Sequence, residues 1–583
     1  MPEDIALQVQ MPTDLRSKDK LGAFQLDNVS GKSRGIASLT VDIPSSHRSQ
    51  GPEESRPPAR WRTTEFLVYY LIAIIVLPWM IWVPISLSTS SHVNYPFYHS
   101  RLYPGWLFGR ELDNSDSQYR SFRNNIPALS ILAALFLILK FIYTKSVLRS
   151  LPEPPSHRLY LIPFFVTFSI LMLSVLHGAS IIKIFIILTM NYAIGSSCKG
   201  SKLGPLLTWV FNGAVLFTNE RNSGYRFSSL HPSLEILDFI QGVYPRWHVS
   251  FNITMLRLVS FNMDYYWACN RVSEEDSGAY LTEKQRSNIA HPIDVYSYQN
   301  YVAYVLYSPL YIAGPIMTFN NFMWQLRRPI DIPGRTIIRY LVRFVISLLT
   351  MEFILHFMHV VAIKDAKAWP GDTPFELSMI GFWNLMIMWL KLLLPWRFFR
   401  LWSLASGIDP PENMVRCMVN NYSTLGFWRS WHRSYNLWII RYIYIPLGGT
   451  KNATVTTVLI FSFVALWHDL SFKLLAWGWL VSLFILPELF ASFLFPVSKY
   501  GQNWWYRHVC AAGGVLNILM MVSANLVGFV IGTDGMLYMV KKIFGSLEGL
   551  RFLVGACCCI FVGVQLMFEY REEEMRRGIY RRC

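Results

Sequence analysis

The chain has 583 residues, of which 52% are hydrophobic, 15% aromatic and 15% charged. Soluble domains carry about 25% charged residues, so this composition argues against an ordinary soluble enzyme. The formal net charge is +16, but the basic residues flank apolar segments instead of clustering on a polar module as they do in nucleic-acid binders. Composition therefore predicts a membrane protein with no nucleic-acid partner.

Residues 1–60 are rich in Ser, Pro, Asp, Lys and Arg and have no apolar period. Such a segment buries too little apolar surface to offset the entropy lost on folding, so we predict a disordered tail. Basic residues before the first apolar segment place this tail in the cytosol by the positive-inside rule. A short basic tail, residues 571–583, closes the chain on the same side and leaves residues 61–570 as the membrane domain.

Apolar windows near the length of a membrane-spanning helix recur from residue 66 onwards, and open strands cannot survive in lipid. The sequence therefore predicts an all-α polytopic membrane protein with about 10–12 transmembrane or re-entrant helices. The windows are Phe66–Leu87, Ile126–Tyr143, Leu159–His177, Ile181–Ile194, Leu203–Thr218, Tyr301–Phe319, Ile338–Ile363, Phe375–Leu394, Val455–His468, Leu474–Leu494, Ala511–Ile531 and Leu550–Phe568. Two polar connections, residues 264–298 and 406–437, are too long to be simple turns, and such loops are usually functional or disordered.

An ionisable pair, His468 and Asp469, interrupts the apolar stretch 458–480. An ionisable group at membrane depth costs about 2.5 kcal/mol or more on insertion scales, so it is normally retained for function or is paired. A neutral imidazole in a dry site accepts a proton from a hydroxyl and returns it, which makes His468 a candidate general base. The alternative is a histidine that is hydrogen-bonded between helices, because His177, His356 and His359 also lie within or beside apolar segments.

The segment 427–449, FWRSWHRSYNLWIIRYIYIPLGG, combines basic and aromatic residues. Read as one helix, its positions i, i+3, i+4 and i+7 form a polar face, and aromatic residues line another. The polar face consists of Arg429, His432, Arg433 and Asn436, and the aromatic face of Trp431, Tyr435 and Trp438. The polar face suits an anionic head group or the phosphates of an acyl carrier. The alternative is an amphipathic helix at the interface with its basic side toward lipid phosphates.

Several motifs, in this order, resemble the membrane-bound O-acyltransferase superfamily. They are YSPLYIAGPIMTFNNF at 307–322, WRFFRLWSLASGIDPPENMVRC at 396–417, the segment 427–449, and then His468 in a hydrophobic helix. The resemblance covers residues 61–570 and is closest in character to the fungal glycerol-uptake branch, which remodels glycosylphosphatidylinositol (GPI) anchors and is related to hedgehog acyltransferase.

The resemblance implies an acyl-CoA-dependent O-acyltransferase built as a helical bundle around a reaction tunnel. In this branch the expected reaction moves a very-long-chain fatty acyl group to the free glycerol hydroxyl of a lyso-GPI anchor. The expected location is the endoplasmic reticulum membrane, with the plasma membrane as a second one. Expected partners are acyl-CoA, lyso-GPI anchors or GPI-anchored proteins, and membrane lipids.

The family's invariant histidine corresponds to His468, and its second polar position corresponds to His432. Transfer from a thioester to a hydroxyl needs a base, a polar group for the developing oxyanion, and exclusion of water, and no metal is expected. His468 is the predicted base, and His432 is predicted to donate to the carbonyl oxygen or to orient the acceptor. The predicted substrate-binding residues are Trp428, Arg429, Trp431, Arg433, Asn436, Arg441, Trp467 and Asp469, and the arginines among them are candidates for phosphate contacts.

Cys417 matches the position at which the hedgehog-acyltransferase branch carries a haem-ligating cysteine. The resemblance therefore implies a haem at Cys417, and thiolate ligation of haem iron is physically ordinary. The alternative is that this cysteine only fills apolar volume, as most cysteines in membrane proteins do.

Three other functions stay open: a glycerol transporter or regulator of glycerol uptake, a protein N-acyltransferase of the hedgehog type, and an inactive scaffold. Many secondary transporters have repeated halves, and this sequence shows none. Position 432 is His where protein-acylating relatives usually carry Asp, which favours a lipid acceptor. Inactive relatives have lost the invariant histidine, whereas His468 is present.

Deleting residues 1–55 is expected to leave acyl transfer nearly unchanged, because a disordered tail adds nothing to the core. The measurement compares transfer by the purified truncated and full-length proteins. A folded but inactive truncated protein would contradict this expectation and would mean that the tail folds against the membrane domain.

Overall fold

The computed structural model describes residues 58–270, 281–449, 453–468, 472–577 and 579. The helices before residue 271 are α1 (Thr64–Leu87), α2 (Tyr95–Tyr98), α3 (Ser117–Ser150), α4 (Ile162–His177), α5 (Ile181–Cys198), α6 (Leu203–Arg221), α7 (Ile236–Phe239) and α8 (Trp247–Asn270). The next are α9 (Glu283–Asn288), α10 (Tyr298–Val305), α11 (Ser308–Tyr311), α12 (Phe319–Arg327), α13 (Gly334–Phe357), α14 (Val360–Asp365) and α15 (Pro374–Ala405). The last are α16 (Thr424–Ser430), α17 (Arg433–Ile439), α18 (Ala453–His468), α19 (Phe472–Leu494), α20 (Val497–Tyr500), α21 (Tyr506–Asn525), α22 (Gly532–Phe544) and α23 (Leu547–Arg576).

Within the described residues, the β structure is limited to one antiparallel hairpin. It pairs β1 (Leu102–Pro104) with β2 (Glu111–Asp113) in the connection between α2 and α3. Of the predicted N-terminal tail, residues 1–57 lie outside the described residues.

Seven helical stretches of the described chain are long and apolar enough to cross a membrane. They are Thr64–Leu87, Ser117–Ser150, Leu159–Cys198, Pro374–Ala405, Trp477–Leu494, Tyr506–Val530 and Leu547–Arg576. Each overlaps an apolar window of the sequence, so the predicted all-α polytopic membrane fold is confirmed. Several of these helices begin at side-chain caps, in which Thr63, Asp116 or Thr373 accepts from a backbone N–H of the first turn.

The apolar window Tyr301–Phe319 is not a single spanning helix. It is divided among α10, α11 and the start of α12, and nearly all of it is buried within the bundle. Pro309 opens α11 and has no N–H with which to continue α10. Arg257 of α8 donates to the carbonyl of Val305 (2.8 Å), the last residue of α10, and to that of Leu310 in α11, and so bridges the two short helices.

Helix α8 lies at the centre of the bundle and was not predicted by the apolar windows. Most of its residues are buried, including Arg257 and Asp264. These two charges make the segment look like a surface connection, and one predicted connection, 264–298, begins inside this helix. Both charges have internal partners: Arg257 binds backbone carbonyls, and Asp264 pairs with Arg441 at 2.8 Å. In α8, the two charged residues therefore make contacts inside the bundle and do not indicate a surface segment.

The polar connection 406–437 is joined to the C-terminal helix α23 by an ion pair. Arg416 and Glu574 approach to 2.7 Å, with side-chain exposures of 2% and 9%. Arg571 of the same helix donates to the backbone carbonyl of Asn420 at 2.6 Å. Helix α23 runs past residue 570, the predicted end of the membrane domain, and its last turns secure this connection.

Glu574→Ala is expected to lower the free energy of unfolding by about 3–5 kcal/mol, because it leaves Arg416 buried without this carboxylate. Thermal unfolding of the purified protein in detergent measures the change. The matched control is Glu573→Ala, whose partners are Arg577, which is 60% exposed, and Arg576, which keeps Glu569 as a second partner, and for which a loss below about 1 kcal/mol is expected. Equal losses in the two variants would contradict the prediction.

Candidate active site

The segment 427–449 contains a break that the sequence pattern did not predict. Helix α16 ends at Ser430 and α17 begins at Arg433, with His432 between them in the left-handed conformation (φ 43°, ψ 49°). A residue other than glycine in this region costs of order 1–3 kcal/mol and persists only where the surrounding structure imposes it. The prediction of one continuous amphipathic helix here is therefore wrong, because the chain changes direction at His432.

Contacts to the His432 ring and to the two residues that follow it hold this conformation. The Asn413 carbonyl accepts from the N–H of Arg433 (3.0 Å), and its side-chain oxygen accepts from the N–H of Ser434 (3.2 Å). The indole of Trp396 stacks on the His432 ring with 4.4 Å between centroids. Since Trp396 belongs to α15 and Asn413 to the preceding connection, tertiary packing positions the imidazole.

A continuous row of rings joins His432 to His468. The His432 ring packs against Tyr435 (5.2 Å between centroids), Tyr435 stacks on Trp467 (4.5 Å), and Trp467 meets His468 edge-on (4.7 Å). The indole N–H of Trp467 donates to the carbonyl of Asn252 at 2.9 Å, which fixes its plane. Trp467 is buried, whereas His468, the last residue of α18, is exposed. We call these rings, together with Trp396, the aromatic row.

The environment of His432 sets its protonation. Burial lowers the pKa of His432 to about 3, and the nearby His468 contributes to the same lowering. A neutral imidazole has one N–H donor and one acceptor nitrogen, so His432 can donate a hydrogen bond or orient a partner at physiological pH. The His468 side chain, by contrast, is exposed.

The other predicted substrate-binding residues differ in their burial and in their contacts. Trp428 meets Phe461 of α18 edge-on (5.9 Å), and Trp431 is half-buried. Asn436 is half-buried, and its backbone N–H donates to the carbonyl of His432 at 3.0 Å. Asp469 lies outside the described residues.

Two of the three predicted phosphate-binding arginines have carboxylate partners. Arg433 pairs with Glu283 at 3.1 Å, and Arg441 pairs with Asp264 at 2.8 Å. Arg429 is exposed. Arg429 is therefore an accessible cation, whereas Arg433 is paired with helix α9 and Arg441 with helix α8. Phosphate binding by all three stays a prediction.

Glu488 of α19 is a residue of the site that the sequence reasoning missed. Its carboxylate accepts from the backbone N–H groups of Thr424 (2.9 Å) and Leu425 (3.3 Å) and from the hydroxyl of Ser423. It therefore caps the N-terminus of α16 from a neighbouring helix, where a negative charge is favourable. The sequence carried one signal for it, an acidic residue inside an apolar stretch.

The haem predicted at Cys417 is not supported by the comparisons with known proteins. Burial raises the pKa of the Cys417 thiol, which favours the neutral thiol in the free protein. Clusters of three or more metal-ligating side chains do not occur in the described ranges.

The chain is similar to known proteins over the region that contains this site. Residues 240–533, which contain the whole aromatic row, match the family model "MBOAT, membrane-bound O-acyltransferase family". The chain is 46% identical to "Membrane-bound O-acyltransferase GUP1" of Saccharomyces cerevisiae, over 90% of this chain and 94% of that protein. It is 40% identical to "Membrane-bound O-acyltransferase gup1" of Schizosaccharomyces pombe, over 96% of each. It is also 27% identical to "Protein-cysteine N-palmitoyltransferase HHAT" of Mus musculus, over 31% of this chain and 38% of that protein.

Glu488→Ala is expected to lower turnover by about tenfold or more, because a small misplacement of catalytic groups carries a penalty of this size. Glu488→Gln keeps an acceptor oxygen for the N-terminus of α16 and should restore part of the rate. The control is Glu548→Ala, which removes an exposed carboxylate from the first turn of α23. Steady-state transfer kinetics of the three variants provide the measurement, and wild-type turnover in Glu488→Ala would contradict the positioning role.

Proposed function

Because the chain belongs to the membrane-bound O-acyltransferase family, we propose that it transfers a very-long-chain fatty acyl group from acyl-CoA to the free glycerol hydroxyl of a lyso-GPI anchor. The chain is an acyltransferase of a multi-pass membrane fold. The observation that carries the proposed chemistry is that His432 and His468 stand in one aromatic row. The proposed location is the endoplasmic reticulum membrane.

His468 is the proposed base. As the acceptor oxygen attacks the thioester carbonyl carbon, the imidazole of His468 takes the hydroxyl proton, and the new C–O bond forms. The C–S bond then breaks, and the CoA thiolate leaves with the proton that His468 returns. His432, which is neutral, donates to the carbonyl oxygen or orients the acceptor. The surrounding rings limit the access of water, which would otherwise hydrolyse the thioester.

Charge around the row suits a substrate that carries phosphates. Arg429 is exposed near the end of α16, shortly before His432. We propose that it binds a phosphate of CoA or of the anchor, because charge-assisted hydrogen bonds to phosphate are strong. Arg433 and Arg441 keep their carboxylate partners and add positive charge at the edge of the site.

Protein N-acylation is the second candidate function. The observation in its favour is the similarity to the mouse palmitoyltransferase, which covers 31% of this chain. The O-acyltransferase relatives are matched along about nine-tenths or more of their length, so the lipid hydroxyl is the acceptor that we favour.

The test offers labelled very-long-chain acyl-CoA to the purified protein with three acceptors in parallel: a lyso-GPI lipid, a peptide with an N-terminal cysteine, and glycerol. Label on the lyso-GPI lipid is the expected result. Label on the peptide would instead assign N-acylation. Folded wild-type protein that labels none of the three would contradict the proposal and would favour a transport or scaffold role.

His468→Ala is expected to reduce transfer by about a hundredfold or more, which is the usual contribution of a general base. The side chain is exposed, so the variant should unfold at the temperature of the wild type. The control is His157→Ala, which removes an exposed histidine from the loop before α4. Failure of His468→Ala to fold would indicate a packing role and would contradict the assignment.

His432→Asn is expected to lower turnover by about tenfold or more, since it removes the imidazole that donates or orients. Asparagine adopts the left-handed conformation more readily than other residues with a Cβ, so this variant isolates the ring from the backbone. Turnover is measured beside thermal stability. Unchanged kinetics in a folded variant would rule out a catalytic role for His432.

A further inference from the structure

The aromatic row contains a buried polar atom that has no hydrogen-bond partner. The hydroxyl oxygen of Tyr435 is enclosed by protein and makes no hydrogen bond to any described residue, and the Tyr435 side chain is 4% exposed. A buried hydroxyl without a partner gives up its hydrogen bonds to water and gains none in return, which destabilises the folded state. Such an exception indicates a functional role or a ligand that completes the hydrogen bond.

The other buried tyrosines of the described chain show how unusual Tyr435 is. Nine further tyrosines are as buried as Tyr435, and each of their hydroxyls has a partner. Tyr442, two helical turns beyond Tyr435, donates to Asp264 (3.0 Å) and lies 2.8 Å from the hydroxyl of Ser260. Among the described tyrosines, the hydroxyls of Tyr435 and of the half-buried Tyr444 are enclosed without a partner, and of these two Tyr435 is the one that belongs to the aromatic row.

Tyr435 occupies the middle of the row. Its ring lies between His432 (5.2 Å between centroids) and Trp467 (4.5 Å), which is in turn the neighbour of His468. Burial raises the pKa of Tyr435 well above its ordinary value, so the group stays a neutral O–H donor. A ligand that reaches this hydroxyl is itself taken out of water, where a hydrogen bond to a developing negative charge is strongest.

We propose that the Tyr435 hydroxyl is the hydrogen-bond donor to the carbonyl oxygen of the acyl thioester. This inference rests on the proposed acyl transfer and adds a third residue to it. When the acceptor oxygen attacks, the C=O electron pair moves onto oxygen, and the Tyr435 O–H stabilises the resulting oxyanion without giving up its proton. The pair returns as the C–S bond breaks. His468 carries the proton from the acceptor hydroxyl to the thiolate, which leaves His432 to orient the acceptor.

Tyr435→Phe tests this assignment because it removes only the hydroxyl. Without a partner in the protein, the hydroxyl adds nothing to the folded state, so the variant should unfold at the temperature of the wild type or above it. Loss of an oxyanion donor should lower kcat by about a hundredfold, with KM for acyl-CoA changed by less than about threefold. The matched control is Tyr442→Phe, which removes a hydroxyl bound to Asp264. It should lower the unfolding temperature and leave kcat within about twofold of the wild type.

The measurement uses the full-length protein, the same three acceptors, and the hydrolysis of acyl-CoA by water, which passes through the same oxyanion. A kcat loss of about tenfold or more in Tyr435→Phe, with the stability of the wild type, supports the assignment. A smaller loss, or an equal loss in Tyr442→Phe, overturns it. If the wild type acylates an acceptor other than the lyso-GPI lipid, the proposed acceptor is wrong. The kcat values of the variants, measured with the acceptor that is used or for hydrolysis, still decide the role of Tyr435. A wild type that neither transfers nor hydrolyses the thioester overturns both.

Discussion

The left-handed backbone of His432 is the constraint on which the candidate active site depends. It turns the chain between α16 and α17, so that the His432 ring meets Trp396 on one side and Tyr435 on the other. The local sequence does not favour this conformation, and its cost of about 1–3 kcal/mol is offset by tertiary contacts. Asn413 holds the two backbone N–H groups that follow the turn, and any change that releases them should release the imidazole as well.

Charged side chains, buried or half-buried, lie beside the short and broken helices of this bundle. A broken helix exposes N–H and C=O groups that lipid cannot satisfy, so other polar groups must reach them. Arg257 donates to the carbonyls of Val305 in α10 and Leu310 in α11, and Glu488 accepts from the first N–H groups of α16. Asp264 holds Arg441 and Tyr442 beyond α17. The irregular backbone that the site requires is thus maintained by a few ionisable side chains inside an otherwise apolar bundle.

The spanning helices could be predicted from the sequence because length and hydropathy decide them, as in α1 and α23. Helix α8 could not, because Arg257 and Asp264 resemble surface residues until their partners are known. The break at His432 carries no glycine or proline to signal it, and only packing against α15 reveals it. His468 and His432 were paired through their resemblance to a family motif, whereas Tyr435 was assigned only to an aromatic face. An unpartnered hydroxyl is a property of three-dimensional surroundings, which no sequence pattern displays.

The central claim is that His432 and His468 serve one reaction in one site. A double-variant cycle tests it most directly: kcat of the wild type, His432→Asn, His468→Ala and the combined variant, measured with the same acyl-CoA and acceptor. Residues that act as a unit are strongly non-additive, so the combined variant should be no slower than His468→Ala alone. A combined loss equal to the product of the two separate losses would contradict the claim, because it would mean that the two histidines act independently.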